Sequence, residues 1–236
     1  MLQMLIEIPP GKLLITFLAL TAIIALRYLL ISGLFYWLLG GRTPDKVHAI
    51  KLMEGTPRPG AVAREIRWSL LSSFIYAAPA AVVMELWQMG GTAIYNDVNA
   101  YPLWYIPFSI GLYLFAHDTY FYWTHRLMHL KALFPAMHRV HHESRPPTPW
   151  AAFSFHPYES ILGAIFIPLI ALLVPIHVGG ILFILTLMTL AAVFNHSGYE
   201  IFPRWWLRGL PGRHLITAAH HDLHHKYFSC NYALYF

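Results

Sequence analysis

Cysteine and charge are what this 236-residue sequence has least of. Its single cysteine, Cys230, excludes an internal disulfide, a cysteine-ligated iron–sulfur cluster and any zinc site built on a cysteine pair. Only 11% of the residues are charged, where a soluble domain carries about 25%. With 57% hydrophobic residues, the chain is neither disordered nor an ordinary water-soluble globule. Sixteen basic residues against 11 acidic ones give a net charge of +5. These charges sit in short loops and form no continuous basic patch, which argues against nucleic acid as a partner. No glycine/serine linker, charge block or low-complexity stretch divides the chain, so residues 1–236 read as one membrane-embedded domain. Dinucleotide, haem and iron–sulfur fingerprints are also missing.

Long apolar runs and histidine fill the sequence instead. Residues 13–39 are long enough to cross a bilayer, which takes about 20 apolar residues, and lack the small-residue cleavage site of a signal peptide. Further runs cover 68–89, 103–123 and 161–193. PIHVGG at 175–180 interrupts the last run, which reads as two short crossings in a hairpin or as a re-entrant pair. The expected fold is all-α: an integral-membrane helical bundle of four to five spans. N-terminal spans would occupy 1–102, and a histidine-rich helical cap would belong to 103–236. Lys and Arg set the orientation. Loop 41–67 holds Arg42, Lys46, Lys51, Arg58, Arg64 and Arg67, and 124–159 and the tail after 195 hold four more each. Segment 90–102 and the hairpin tip hold none. The positive-inside rule then puts 41–67, 124–159 and 195–236 in the cytosol, of a bacterial inner membrane or an endoplasmic reticulum.

There are 15 histidines, 14 of them between His117 and His225. His125 and His129 stand at i, i+4, the spacing at which one helix offers two imidazoles to one metal. His138, His141 and His142 stand at i, i+3, i+4, and His221, His224 and His225 repeat that pattern; each set reads as one helix face. A lone pair of this kind is most often a surface or core feature, but three clusters within one region point to metal. Imidazole suits iron, zinc, copper and nickel. One ion takes four to six ligands, so eight or more histidines imply two ions. Asp118 falls on the helix face of His125 and reads as the carboxylate that orients a ligand histidine. Glu143, Glu159 and Asp222 could do the same or be solvated, and Arg27 and Glu85 are isolated charges in apolar runs.

HRLMH (125–129), HRVHH (138–142) and HDLHH (221–225) resemble the three histidine boxes of the fatty acid hydroxylase/sterol desaturase superfamily of membrane di-iron oxygenases. DTYFYWTHR, SRPPTPW, FHPYE, NHSGYE and NYALYF flank them in the same style, so the resemblance covers about residues 105–236. It implies that His125, His129, His138, His141, His142, His221, His224 and His225 are metal ligands. His196 matches a further ligand position. His156 matches a position near the metals, as ligand or as pocket lining. Glu200 stands where some relatives carry another histidine; it would ligate, orient His196 or face water. His48, His177, His214 and His220 match no box and read as surface, interface or hairpin-tip histidines; His117, turned about 80° from His125 on an ideal helix, reads as a residue that supports a ligand or packs. The resemblance also implies a Trp-Asp-Arg…Gly-Thr stretch after NYALYF, which this sequence, ending at Phe236, does not contain.

By that resemblance two iron ions, replaceable by zinc in expressed protein, would use O2 to hydroxylate or desaturate a C–H bond of a lipid, fatty-acyl or sterol-like. Electrons would come from a separate protein such as a cytochrome b5 or a ferredoxin. Carotenoid or other isoprenoid oxidation, and a membrane metal-binding or transport protein without chemistry, are the alternatives. A helix entering at Leu103 would reach His129 after about 39 Å, beyond a hydrocarbon core of about 30 Å, so the boxes should sit at the membrane face. PRWWLRGL at 203–210 fits an interfacial helix beside them.

Overall fold

A computed structural model describes residues 2–41, 51–52 and 55–236. Arg42, Lys46 and His48 lie outside the described residues. Five long helices form the bundle: α2 (Pro10–Tyr36), α3 (Ala61–Gln88), α4 (Tyr105–Met128), α7 (Pro157–Leu173) and α8 (Val178–Asn195). The short helix α1 (Leu2–Glu7) precedes them. Three of the five, α2 with its extension to Leu39, α3 and α8, are long and apolar enough to cross a membrane. The interrupted run at 161–193 is a helical hairpin, α7 then α8, broken at Pro175. His177 closes that break by capping α8, accepting from the Gly179 N–H at 3.1 Å, while its Nε2 meets the Asn96 carbonyl at 3.0 Å.

Contacts between helix ends give the bundle one polarity. Lys12 near the start of α2 pairs with Glu85 near the end of α3 at 2.7 Å, and Thr16 also donates to that carboxylate, so these helices run antiparallel. The isolated charge Glu85 therefore has a cation. Tyr105 at the start of α4 donates to the Pro175 carbonyl at 3.2 Å. Two strand residues, β1 (Ile94–Tyr95), pair in parallel with β2 (Ile176–His177) at this same end. At the opposite end lie the start of α3, the end of α4, the start of α7 and the end of α8. Segment 90–102 and the hairpin tip thus share one end, and the histidine-bearing segments share the other, as the Lys/Arg pattern predicts.

Small polar residues let the helices approach within the bundle. Ser69, Ser72 and Ser73 are fully buried on α3, and Ser72 Oγ meets Ser160 Oγ of α7 at 2.8 Å. Tyr28, Ala152, Phe153, Ala192 and Val193 form a core beneath the histidine end, and Tyr113, Ile176 and Ile184 form another near the far end. The outward faces stay apolar: Leu14, Ile15, Leu18, Leu26 and Leu30 of α2 are all exposed, as a helix facing lipid should be.

Candidate metal centre

The cap is made of short pieces. Pro135 opens the single turn α5 (Phe134–Met137), His138 leaves helical geometry at φ −122°, and α6 (Arg139–His142) follows. The second box is therefore two short turns and not the continuous helix its spacing suggests. The His142 N–H still reaches the His138 carbonyl at 3.3 Å, which keeps those two rings on one side. The third box is a true helix, α11 (Ala218–Tyr227). Thr217 and His220 form a capping box at its start, and Phe228, at φ 64°, ends it. Gly198, at φ 74°, provides the left-handed turn that reverses the chain after His196.

Nine imidazoles gather in two groups. His125, His129, His138, His142 and His224 form one, and His141, His196, His221 and His225 form the other. Within each group the candidate ligand atoms lie within 4.8 Å of one another. The boxes do not map one to a group. In each HxxHH the i and i+4 histidines serve one group and the i+3 histidine serves the other: His138 and His142 against His141, and His221 and His225 against His224. At 100° per residue, i and i+4 differ by about 40°, whereas i+3 and i+4 diverge by about 100°. Each box thus stitches the two groups together, and the His142 and His225 rings lie 4.6 Å apart across the seam.

The Nε2 atoms converge. His125 and His138 meet at 2.9 Å and His142 and His224 at 3.1 Å in the first group. His141 and His196 meet at 3.0 Å, His196 and His221 at 2.9 Å, and His221 and His225 at 3.1 Å in the second. Two nitrogens about 2.1 Å from a common ion and at right angles would stand about 3.0 Å apart, so both groups fit a metal. The opposite ring nitrogens are held from behind. His125 Nδ1 donates to the Tyr232 carbonyl and His224 Nδ1 to the Cys230 carbonyl, each at 2.7 Å. His196 Nδ1 donates to the Ala192 carbonyl at 2.7 Å. His138 Nδ1 lies 2.8 Å from the carboxylate of buried Glu159, in the first turn of α7. The three carbonyl bonds fix the tautomer that leaves the Nε2 lone pair facing inward, and Glu159 sets a carboxyl behind the fourth ring. Burial also keeps the rings neutral. It lowers His129 to about 3 and His196 and His224 to about 4, and it holds His138, His141, His142, His221 and His225 well below the ordinary histidine value.

Three sequence expectations, for Asp118, Glu200 and His156, fall differently, while His117 packs as its position suggests. Asp118 touches no histidine of either group. Its Oδ1 accepts from the Leu234 and Tyr235 N–H groups at 2.7 and 2.9 Å, and its Oδ2 from the Phe236 N–H at 3.1 Å. Glu200 neither joins a group nor orients His196. It accepts from the Phe202 N–H at 3.0 Å and the Ala219 N–H at 3.2 Å, so it sits at the positive start of α11. His156 stands outside both groups as the cap of α7, accepting from the Tyr158 N–H at 3.4 Å and packing on Trp68. His117 is buried among Phe121, Phe166 and Tyr235. Of the other carboxylates, Glu143 faces Arg64 at 3.4 Å on the surface, and Glu159 alone meets a grouped histidine among the described residues. Glu65, unremarked by pattern, is fully buried and accepts from Thr148 at 2.5 Å, which ties the start of α3 to the segment after the second box.

The apolar helical bundle and its paired histidine cluster define an all-α membrane protein with a site that could hold metal. A family model described as fatty acid hydroxylase matches residues 110–236, and the chain belongs to that family. It is 30% identical over 183 residues to a Delta(7)-sterol 5(6)-desaturase of Gibberella zeae, covering 75% of this chain and 55% of the relative. A methylsterol monooxygenase of Aspergillus fumigatus is 32% identical over 209 residues, covering 84% of this chain and 66% of the relative. A lathosterol oxidase of Rattus norvegicus is 29% identical over 177 residues, 74% of this chain and 58% of the relative. The chain thus spans a little over half to about two thirds of the length of these relatives. No solved structure matches it.

Proposed function

We propose that the two histidine groups hold two iron ions and that the protein is an O2-dependent oxidoreductase acting on a C–H bond of a sterol-like or fatty-acyl lipid. The observation that carries this reading is the convergence of nine imidazoles, eight of them buried, into two adjoining groups at one end of a membrane bundle. The names of the relatives, sterol desaturases, a methylsterol monooxygenase and a lathosterol oxidase, favour a sterol-like substrate. Bound iron would supply the activation of O2 and the oxidation of the C–H bond, which no protein side chain performs.

The chain's own residues do the rest. His125, His129, His138, His142 and His224 would hold one ion, and His141, His196, His221 and His225 the other. Glu159 and the carbonyls of Tyr232, Cys230 and Ala192 keep four of those rings aimed. Burial of eight of the nine rings limits bulk water around the groups. The long helices bring this end to the membrane face, where a lipid can keep its apolar body in the bilayer and present one carbon. Hydroxylation would consume the lipid, O2, two electrons and two protons and give an alcohol and one water; desaturation would give an alkene and two waters. The electrons would come from a separate donor of the cytochrome b5 or ferredoxin kind. The Lys/Arg pattern supports a cytosolic site, and the exposed α9 (Arg204–Arg208), whose Trp205 is 73% exposed, supports an interfacial lip.

Host lipids with and without the expressed protein, under 18O2, test this. A lipid gaining one 18O atom, or losing two hydrogens only when O2 is present, is the expected result. An unchanged lipid profile from protein carrying a full metal complement, supplied with a reduced donor, would overturn it.

A further inference from the structure

Segment 229–236 leaves α11 at Phe228 and runs back across α4. Two of its carbonyls, Cys230 and Tyr232, receive Nδ1 of His224 and His125, both at 2.7 Å. The Tyr232 ring lies 5.1 to 5.5 Å from the rings of His125, His129 and His224. All these histidines belong to the five-membered group. Nothing in the segment holds a ring of the other group, whose His196 is held by the Ala192 carbonyl of its own helix. The segment is in turn fastened from α4. Asp118 lies two helical turns before His125, and its carboxylate takes three consecutive backbone N–H groups, those of Leu234, Tyr235 and Phe236. Asn195 adds a bond to the Leu234 carbonyl at 3.2 Å, and the Ile216 N–H one to the Tyr235 carbonyl at 2.8 Å.

We infer that residues 229–236 are a strap that aims His125 and His224, and that Asp118 is the positioning residue that fastens it, so that one metal site and not the other depends on Asp118. Strands and loops present carbonyls anywhere; what makes these two useful is that their distance from α4 is set by a carboxylate on the same helix as His125. A buried carboxylate with three charge-assisted bonds is a rigid anchor. Releasing it frees the strap, and both rings lose the contact that fixes their tautomer and direction. Changes of this kind typically weaken metal binding by about 10–100-fold.

The inference rests on the two-metal reading above, and one experiment separates their failures. The full chain, purified in detergent, is titrated with cobalt(II), with ions per chain, affinity by chelator competition and the cobalt absorption spectrum as readouts. The unsubstituted chain should bind two ions; a chain that binds none overturns the two-metal reading and the strap's role with it. Asp118→Ala should keep one ion at unchanged affinity and bind the other about 10–100-fold more weakly, with a changed spectrum for that ion alone. Asp118→Asn, which retains an acceptor for Leu234 and Tyr235, should fall between. Two ions bound with unsubstituted affinity, or equal weakening of both, would overturn the strap. Should Asp118→Ala fail to fold, Asn195→Ala decides: a weaker but equally one-sided loss supports the strap, and unsubstituted affinity for both ions, or equal weakening of both, overturns it.

Discussion

Glu159→Gln separates holding a metal ligand from holding the fold. Glu159 is 7% exposed and its carboxylate lies 2.8 Å from His138 Nδ1, on the far side of the ring from the Nε2 that meets His125 at 2.9 Å. Glutamine keeps the length and one acceptor oxygen but removes the charge. Losing a carboxylate behind a ligand histidine costs about 10–100-fold in affinity, which is about 1.4–2.7 kcal/mol. The metal-free protein should respond oppositely. A carboxylate buried beside a neutral ring is expensive to desolvate, so replacing it should leave thermal stability equal or higher. Chelator competition on the purified protein, alongside melting of the metal-free form, reads both quantities. Weaker binding of one ion with an unlowered melting temperature is expected. A parallel fall in both, with equal weakening of the two ions, would refute the reasoning and make Glu159 a packing residue.

Neighbouring histidines should fail separately: His142→Ala should weaken an ion in the five-membered group and His141→Ala one in the four-membered group, visible as distinct changes in the cobalt spectrum; identical spectra would contradict the split. Glu200→Gln should lower stability by about 0.5–1 kcal/mol through loss of charge at the start of α11, read by melting, with metal content preserved; loss of metal with unchanged melting would return Glu200 to the ligand set. Cysteine-accessibility labelling should modify positions 58 and 97 from opposite sides of the membrane, since they lie at opposite ends of the bundle; labelling of both from one side would contradict the orientation.

The histidines carried most of the legible information because metal chemistry dictates residue type and the helix dictates spacing. That His125 pairs with His129 and His221 with His225 was legible from sequence alone. Their division was not, because the reading of one face ignored the 100° between i+3 and i+4, and His138 does not continue a helix at all. Apolar runs showed the helices and the Lys/Arg bias their common end, since lipid and membrane charge act on composition. What sequence did not show is where carboxylates point. Asp118 shares a helix face with His125, so a direct contact was the natural inference. Its partners are backbone N–H groups more than a hundred residues away, identical in every residue and so invisible to pattern. Glu200 likewise meets the start of a helix that begins 18 residues later, and His156, within a motif-like FHPYE, serves as a helix cap. The carbonyls of Cys230 and Tyr232 carry no side-chain signal whatever.

Anomalous diffraction from the iron-loaded protein, collected on both sides of the iron edge, tests the central claim most directly. Two peaks are predicted, one among Nε2 of His125, His129, His138, His142 and His224 and one among those of His141, His196, His221 and His225. A single peak, or peaks away from these nine rings, would contradict the account.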